Sequence, residues 1–246
     1  MNLFARFVGM NRRAAAWLEG RFPEAFRDDS YVDALMGRVN EAIVATRPAR
    51  ILEAGGVDRP LLQRNQGYEF VGVDIDDRPE CADVYDRFIV QSVEEPMPVQ
   101  ADMIVSITLL EHVPDNKSAI ESFFRSLNPG GTTHHYIPSK WHPYSISLRL
   151  VGPKLQKILI KLLRPGAIGV TGYPAFFDYC DPGSMEKLME RSGFVNIRTK
   201  TFYEAADYFA FFLPAYLLVV AIEKLCKALN LRIFASGFVI SASKPA

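Results

Sequence analysis

The chain has no surplus of either charge. Its 246 residues carry 28 lysines and arginines against 28 aspartates and glutamates. A nucleic-acid partner needs a basic excess, so that class is excluded. Cysteine is scarce. Cys81, Cys180 and Cys226 are odd in number and far apart, so no disulfide framework is expected and a reducing, cytoplasmic compartment fits better. No CxxC pair or Cys/His spacing occurs, and no metal site is expected. No apolar run reaches the ~20 residues of a spanning helix. The longest uncharged one, 208–222, also holds Pro214. Residues 1–13 lack the apolar core and small-residue cleavage site of a secretory leader. Repeats and low-complexity tracts are absent, and G-x-G-x-x-G does not occur.

What is present is an apolar-rich chain, 49% hydrophobic, organised around residues 50–77. Ile51 and Leu52 lead into Glu53-Ala54-Gly55-Gly56. Pro60-Leu61-Leu62-Gln63 then predicts a helix with proline at its first position, and Phe70-Val71-Gly72-Val73-Asp74 predicts a second strand. Strand, glycine turn, helix and strand form a nucleotide-binding βαβ half. Glycine lets a ligand approach the backbone, helix N–H groups would face an anion, and Asp74 lies where a carboxylate accepts from ribose hydroxyls. A double glycine alone is more often an empty turn; the ordered set makes the case.

Residues 1–48 read as helices broken at Pro23, with Val39, Ile43 and Val44 at helical spacing. Strands are expected at 88–91, 102–107 and 132–137, the second apolar on both faces and so central and parallel. Asp115 caps a helix through Ser126, which Asn128-Pro129-Gly130-Gly131 stops. A helix at 184–192, a strand at 194–203, an apolar helical region at 205–230 and a strand at 238–243 complete an alternating α/β chain.

These residues resemble class I S-adenosylmethionine-dependent methyltransferases of the small-molecule type. ILEAGG resembles the first motif, FVGVDID the second, ADMIVSITLLEHV the fourth-strand motif and LNPGGT the run before the fifth strand. Val57 and Arg59 stand where the family's first motif has its second and third glycines, and Ser92 stands where an acid often holds the adenine amino group. The resemblance implies a Rossmann-like, doubly wound seven-stranded sheet with helices on both faces and an antiparallel last strand. It implies S-adenosylmethionine at Glu53, Ala54, Gly55 and Gly56, with ribose on Asp74, adenine among Ile75, Ser92 and Val93, and Ser106, Ile107 and Thr108 on the methyl-donor side.

Methyl transfer from a sulfonium asks the protein mainly to align the reactants; a base is needed only for a protonated acceptor. His112, at the carboxyl edge of the sheet, is the first candidate and a capping histidine the rival reading. His142 is the second. His134 and His135 alternate on one strand and face opposite ways. Tyr136, Trp141 and Tyr144 are candidate acceptor-binding aromatics, with core packing as the rival. The Tyr136…Lys140 spacing of a dehydrogenase fails because Pro138 forbids the helix it needs. Aromatics between Tyr173 and Tyr179 could extend the acceptor site.

The expectation is one methyltransferase domain over 1–246: a helical segment 1–48, a cofactor-binding core 49–137, an acceptor-side lid 138–183 and a tail 184–246. It methylates a small or lipid-like acceptor, at oxygen. A basic amphipathic stretch at 149–164 and the apolar run 208–222 point to contact with the inner face of a membrane, or to a homodimer seam. The alternatives are a non-catalytic scaffold that has lost the cofactor, and a nicotinamide-dependent dehydrogenase.

Overall fold

The computed structural model describes residues 3–26, 28–147, 149–150 and 174–246. Most of the basic 149–164 stretch, the middle of the 138–183 lid and Tyr173 lie outside the described residues. The chain divides into two compact units. One is Met1–Asp29, Ser139–Ala175 and Thr201–Gly237; the other is Ser30–Pro138, Phe176–Lys200 and Phe238–Ala246.

The second unit carries the sheet. Its strands are β1 (Arg50–Ala54), β2 (Glu69–Asp74), β3 (Arg87–Val90), β4 (Ala101–Ile107), β5 (Leu127–Pro138), β6 (Val195–Phe202) and β7 (Gly237–Ser243), in the order β3-β2-β1-β4-β5-β7-β6. Strands β1 to β5 are parallel neighbours. The last strand is antiparallel: Gly131 accepts from Lys244 while Gly130 donates to Pro245, and His134 meets Ser241, so numbers rise on one strand as they fall on the other. Ile51, Leu52, Val71, Met103 and Ile104 are fully buried, as strands covered on both faces must be.

Local chemistry sets the helices. Helix α3 (Tyr31–Thr46) follows the two α-helices of the other unit; Ser30 accepts from Asp33 at its start and Arg47 takes a left-handed turn at its end. A short turn of helix, α4 (Cys81–Val84), precedes β3. Asp115 caps α5 (Asn116–Ser126) through the Lys117 and Ser118 N–H groups, and Asp181 caps α6 (Pro182–Arg191), which Gly193 ends at φ +100°.

Two expectations are corrected. No helix follows the glycines: 55–68 is all turns and bends. The buried Glu53 carboxylate takes the Leu61 and Leu62 N–H groups at 2.7 and 3.4 Å, and left-handed residues at Asn65 (φ 64°) and Gly67 (φ 89°) keep the segment from continuing as a helix. Asn128-Pro129-Gly130-Gly131 does not separate helix from strand either. Strand β5 already begins at Leu127, because Ala101 on one side and the Lys244–Pro245 backbone on the other give that segment partners; the cost is a register slip between Ala101 and Met103.

The first unit is helical: α1 (Leu3–Arg21), α2 (Pro23–Phe26) and α7 (Leu213–Ala228). Ala15 on α1 packs with Ala206, Ala210, Tyr216, Val219 and Val220. Asn11 accepts from the Leu213 N–H and Tyr216 donates to Glu19, tying α1 to the start of α7. The Asp28 carboxylate accepts from Tyr203 N–H and pairs with Lys227. Those interactions hold its pKa below the usual range despite burial, which alone would raise it.

Candidate active site

Strand register builds the site. Ala54 lies beside Val73 and Ser106, and Asp74 beside Val90. The carboxyl ends of β1, β2, β3 and β4 therefore form one edge, and Gly55, Gly56, Asp74, Ile75, Ser92, Val93, Ile107 and Thr108 follow them there. Open α/β sheets bind ligands at that edge.

The glycines are fixed by packing. Gly55 has φ +84°, and a Cβ on it would sit 2.9 Å from Leu109 Cδ1. A Cβ on Gly56 would sit 2.2 Å from the Tyr85 hydroxyl and 2.5 Å from Glu53 Oε1. Val57 has φ 47°, a region that strains a β-branched residue. The backbone at 57 thus keeps a conformation that glycine adopts freely. Arg59 is exposed. Asp58 is neutralised chiefly from elsewhere: Arg78 bonds it at 2.8 Å, against 3.9 Å for Arg59, while also reaching Asp76.

Glu53 is buried without a cation, and desolvation pushes its pKa up to about 7 against the two N–H bonds it accepts. The hydroxyl of Tyr85, under Gly56, has no hydrogen-bond partner, and burial raises its pKa. Asp74 is half-buried and accepts from Asp76 N–H at 2.9 Å; desolvation raises its pKa. Next to it Ile75 is 67% exposed, an apolar side chain held at the edge. Ser92 donates to Glu94 at 3.0 Å, and the other oxygen of Glu94 accepts from Asp115 N–H. An acid does stand near the third strand, two residues beyond the expected place.

On the β4 side, Ser106 is buried and bonds His135 Nδ1 at 2.7 Å, so its side chain belongs to the core. Thr108 is exposed at φ 51°. A single 3-10 turn, Leu110–His112, follows. His112 is partly exposed, 3.7 Å from the carboxylate of Glu111. Glu111 is buried; desolvation lifts its pKa to about 8, and its Oε2 has no hydrogen-bond partner. The Glu111 carbonyl accepts from Phe176 and Phe177 N–H, and Asn116 bonds the carbonyls of Leu110 and Asp178. The aromatic segment at 176–179 is thereby fastened to the turn that carries His112.

His134 and His135 do face opposite ways: one meets Ser241 and Thr132, the other Ser106 and Thr133. Both are buried and neutral, with pKa values pushed down to about 4 and about 3 by desolvation. Tyr136 is buried and stacked on Tyr31 at 3.8 Å between ring centres. In the other unit, His142 is buried with Nε2 2.9 Å from Glu223, and its Nδ1 accepts from Tyr144 N–H. Tyr144 stacks on Tyr208. Trp141 is partly exposed with Lys140 and Arg149 over its ring. No group of three or more metal-binding side chains occurs among the described residues.

A family of methyltransferase domains matches residues 29–199. The chain belongs to that family. Among curated relatives, a ubiquinone biosynthesis O-methyltransferase of Pseudomonas entomophila is 26% identical over 161 residues, which are 62% of this chain and 65% of that protein. A homologue from Pseudomonas fluorescens is 30% identical over 35% of this chain, and the chain spans 40% of its length. Among solved structures, an S-adenosylmethionine-dependent methyltransferase from Archaeoglobus fulgidus superposes with a TM-score of 0.54 at 15% identity, covering 93% of this chain and 98% of that one. The fold is that of class I methyltransferases.

Proposed function

We propose that this methyltransferase moves a methyl group from S-adenosylmethionine to an oxygen of a small or lipid-like acceptor. The observation that carries the reading is the convergence of the Gly55–Gly56 turn and the Asp74 carboxylate on one sheet edge, in register through β1 and β2. The donor set suits an adenosine-bearing sulfonium. Asp74 would accept from ribose hydroxyls, exposed Ile75 and buried Val93 would offer apolar surface to adenine, and Ser92 with Glu94 would supply polar groups beside it. Glu53 and Ala54 support the turn, and the backbone of Ser106, Ile107 and Thr108 borders the donor side.

The sulfonium brings an already activated methyl carbon. This chain's residues align an acceptor and take its proton. His112 is the base, being partly exposed on the edge turn. His142, with both ring nitrogens engaged, holds 142–144 to α7 and serves as the second candidate only if that pair opens. Tyr136 and exposed Phe176, whose N–H bonds the Glu111 carbonyl, are proposed for the acceptor; Trp141 and Tyr144 fall in the other unit. Methylation at oxygen draws support from the relatives' names, and a hydrophobic acceptor from the aromatic residues. The surroundings proposed are cytoplasmic, at the inner face of a membrane.

One observation favours a second reading. Strained Val57 at the turn suits a scaffold that has lost its cofactor. Isothermal titration separates the readings: heat with S-adenosylmethionine and none with NAD supports the enzyme. No heat from a folded protein defeats it, and heat with NAD alone favours a dehydrogenase.

A further inference from the structure

Soluble helices hide their apolar stripe, yet α1 and α7 each hide one and display another. On α7, Tyr216, Val219, Val220 and Cys226 are buried. Opposite them Leu218, Leu225 and Leu229 are 62%, 58% and 59% exposed, with Ile222 between. Their spacing of four, three and four residues puts them in one row along the helix. On α1, Val8, Asn11 and Ala15 are buried, while Leu3, Phe7, Met10 and Trp17, spaced four, three and seven residues apart, are exposed, Trp17 by 64%. At the start of α7 the Phe212 ring stands 6.5 Å from the Phe7 ring, both exposed. Exposed apolar surface of this extent on two neighbouring helices marks a docking surface.

Charge identifies the occupant. Arg6, Arg13 and Arg21 are exposed on α1, Arg6 and Arg13 flanking its apolar row. Neither helix exposes a carboxylate to meet them: Glu19 accepts from the Tyr216 hydroxyl, and Glu223 is buried against His142. A second copy of this face would set arginine against arginine. An anionic lipid surface satisfies both components, taking leucine, phenylalanine and tryptophan at the acyl boundary and arginine at the phosphates. No described helix is long and apolar enough to cross a membrane, in keeping with helices that lie in the interface.

We propose that the exposed face of α1 and α7 docks the protein on an anionic lipid bilayer. The surface goes beyond the methyl-transfer reading and does not rest on it.

The test is flotation of the full chain with vesicles of phosphatidylcholine alone or with a third phosphatidylglycerol. Binding to the anionic vesicles only, weakening as salt rises, is expected. Arg6→Gln and Arg13→Gln should each weaken it about fivefold. The double variant Leu218→Asp, Leu225→Asp should abolish it with an unchanged circular-dichroism melt, since both side chains are exposed. Protein left unbound by anionic vesicles at low salt overturns the proposal. So does equal binding to phosphatidylcholine alone, or undiminished binding by the folded leucine variant. A dimer in sedimentation velocity that Leu218→Asp dissociates, in protein that vesicles do not bind, assigns the face to a second copy instead.

Discussion

Arg78 grips Asp58 at 2.8 Å and reaches Asp76 with its other nitrogen, so one guanidinium ties the turn after β1 to the turn after β2. Those turns carry the glycines and Asp74. A pair this exposed contributes little to folding, at most about 1 kcal/mol. Its larger effect is expected on ligand affinity. Arg78→Ala should raise the S-adenosylmethionine Kd roughly tenfold by titration calorimetry, from ~1.4 kcal/mol of lost preorganisation, with a small change in melting temperature.

Asp74 should matter more. Hydrogen bonds to a charged group are each worth about 1.5–3 kcal/mol. Asp74→Ala is expected to weaken S-adenosylmethionine binding by roughly 30-fold or more, with the melt unchanged or raised, since burial already pushes this carboxyl's pKa up. The same titration checks it.

His112→Asn removes the proposed base without adding bulk. With a hydroxyl acceptor, kcat should fall about 100-fold or more while the cofactor Kd holds. The loss should shrink as pH rises and the acceptor ionises by itself. An unchanged rate takes His112 out of the mechanism.

Glu111 links stability to pH. Its pKa stands at about 8 in the folded chain against an ordinary 4.5. Between those values the unfolded chain has released the proton and the folded chain retains it. Stability therefore falls as pH rises from about 4.5 to about 8. Glu53 adds to the same trend up to about pH 7. Glu111→Gln should be near-neutral at pH 4.5 and stabilising at pH 8.5, by up to roughly 5 kcal/mol at ~1.4 kcal/mol per pKa unit. Denaturant melts at the two pH values read the difference.

The sheet was legible because its central strands are buried on both faces and so write themselves as apolar runs, as at 70–73 and 103–105. Asp115 and Asp181 were equally legible, since a cap needs only its own first turn. The first crossover was not. Leu61 and Leu62 read as a helix start, while the left-handed backbone at Asn65 and Gly67 that stops one, and the Glu53 carboxylate that takes their N–H groups from eight and nine residues back, are not written in the local pattern. The start of β5 was hidden because its partners Lys244 and Pro245 lie more than a hundred residues away. Arg78, Tyr85, Glu94 and Glu111 escaped notice for a related reason. What distinguishes them is burial or a partner across the sheet edge, and local spacing carries neither. Arg78 alone left a faint trace, as a cation closing the acidic run 74–77.

With turns rather than a helix between β1 and β2, no axial dipole stands behind the glycines, and the cations of those turns face aspartates: Arg78 bonds Asp58 and Asp76, and Arg59 lies 3.9 Å from Asp58. Whatever binds there gains little from carrying a carboxylate of its own. Nucleoside thioethers stripped of the amino-acid arm, such as methylthioadenosine, should accordingly compete for this edge almost as well as S-adenosylhomocysteine, making the pocket unusually tolerant of truncated inhibitors.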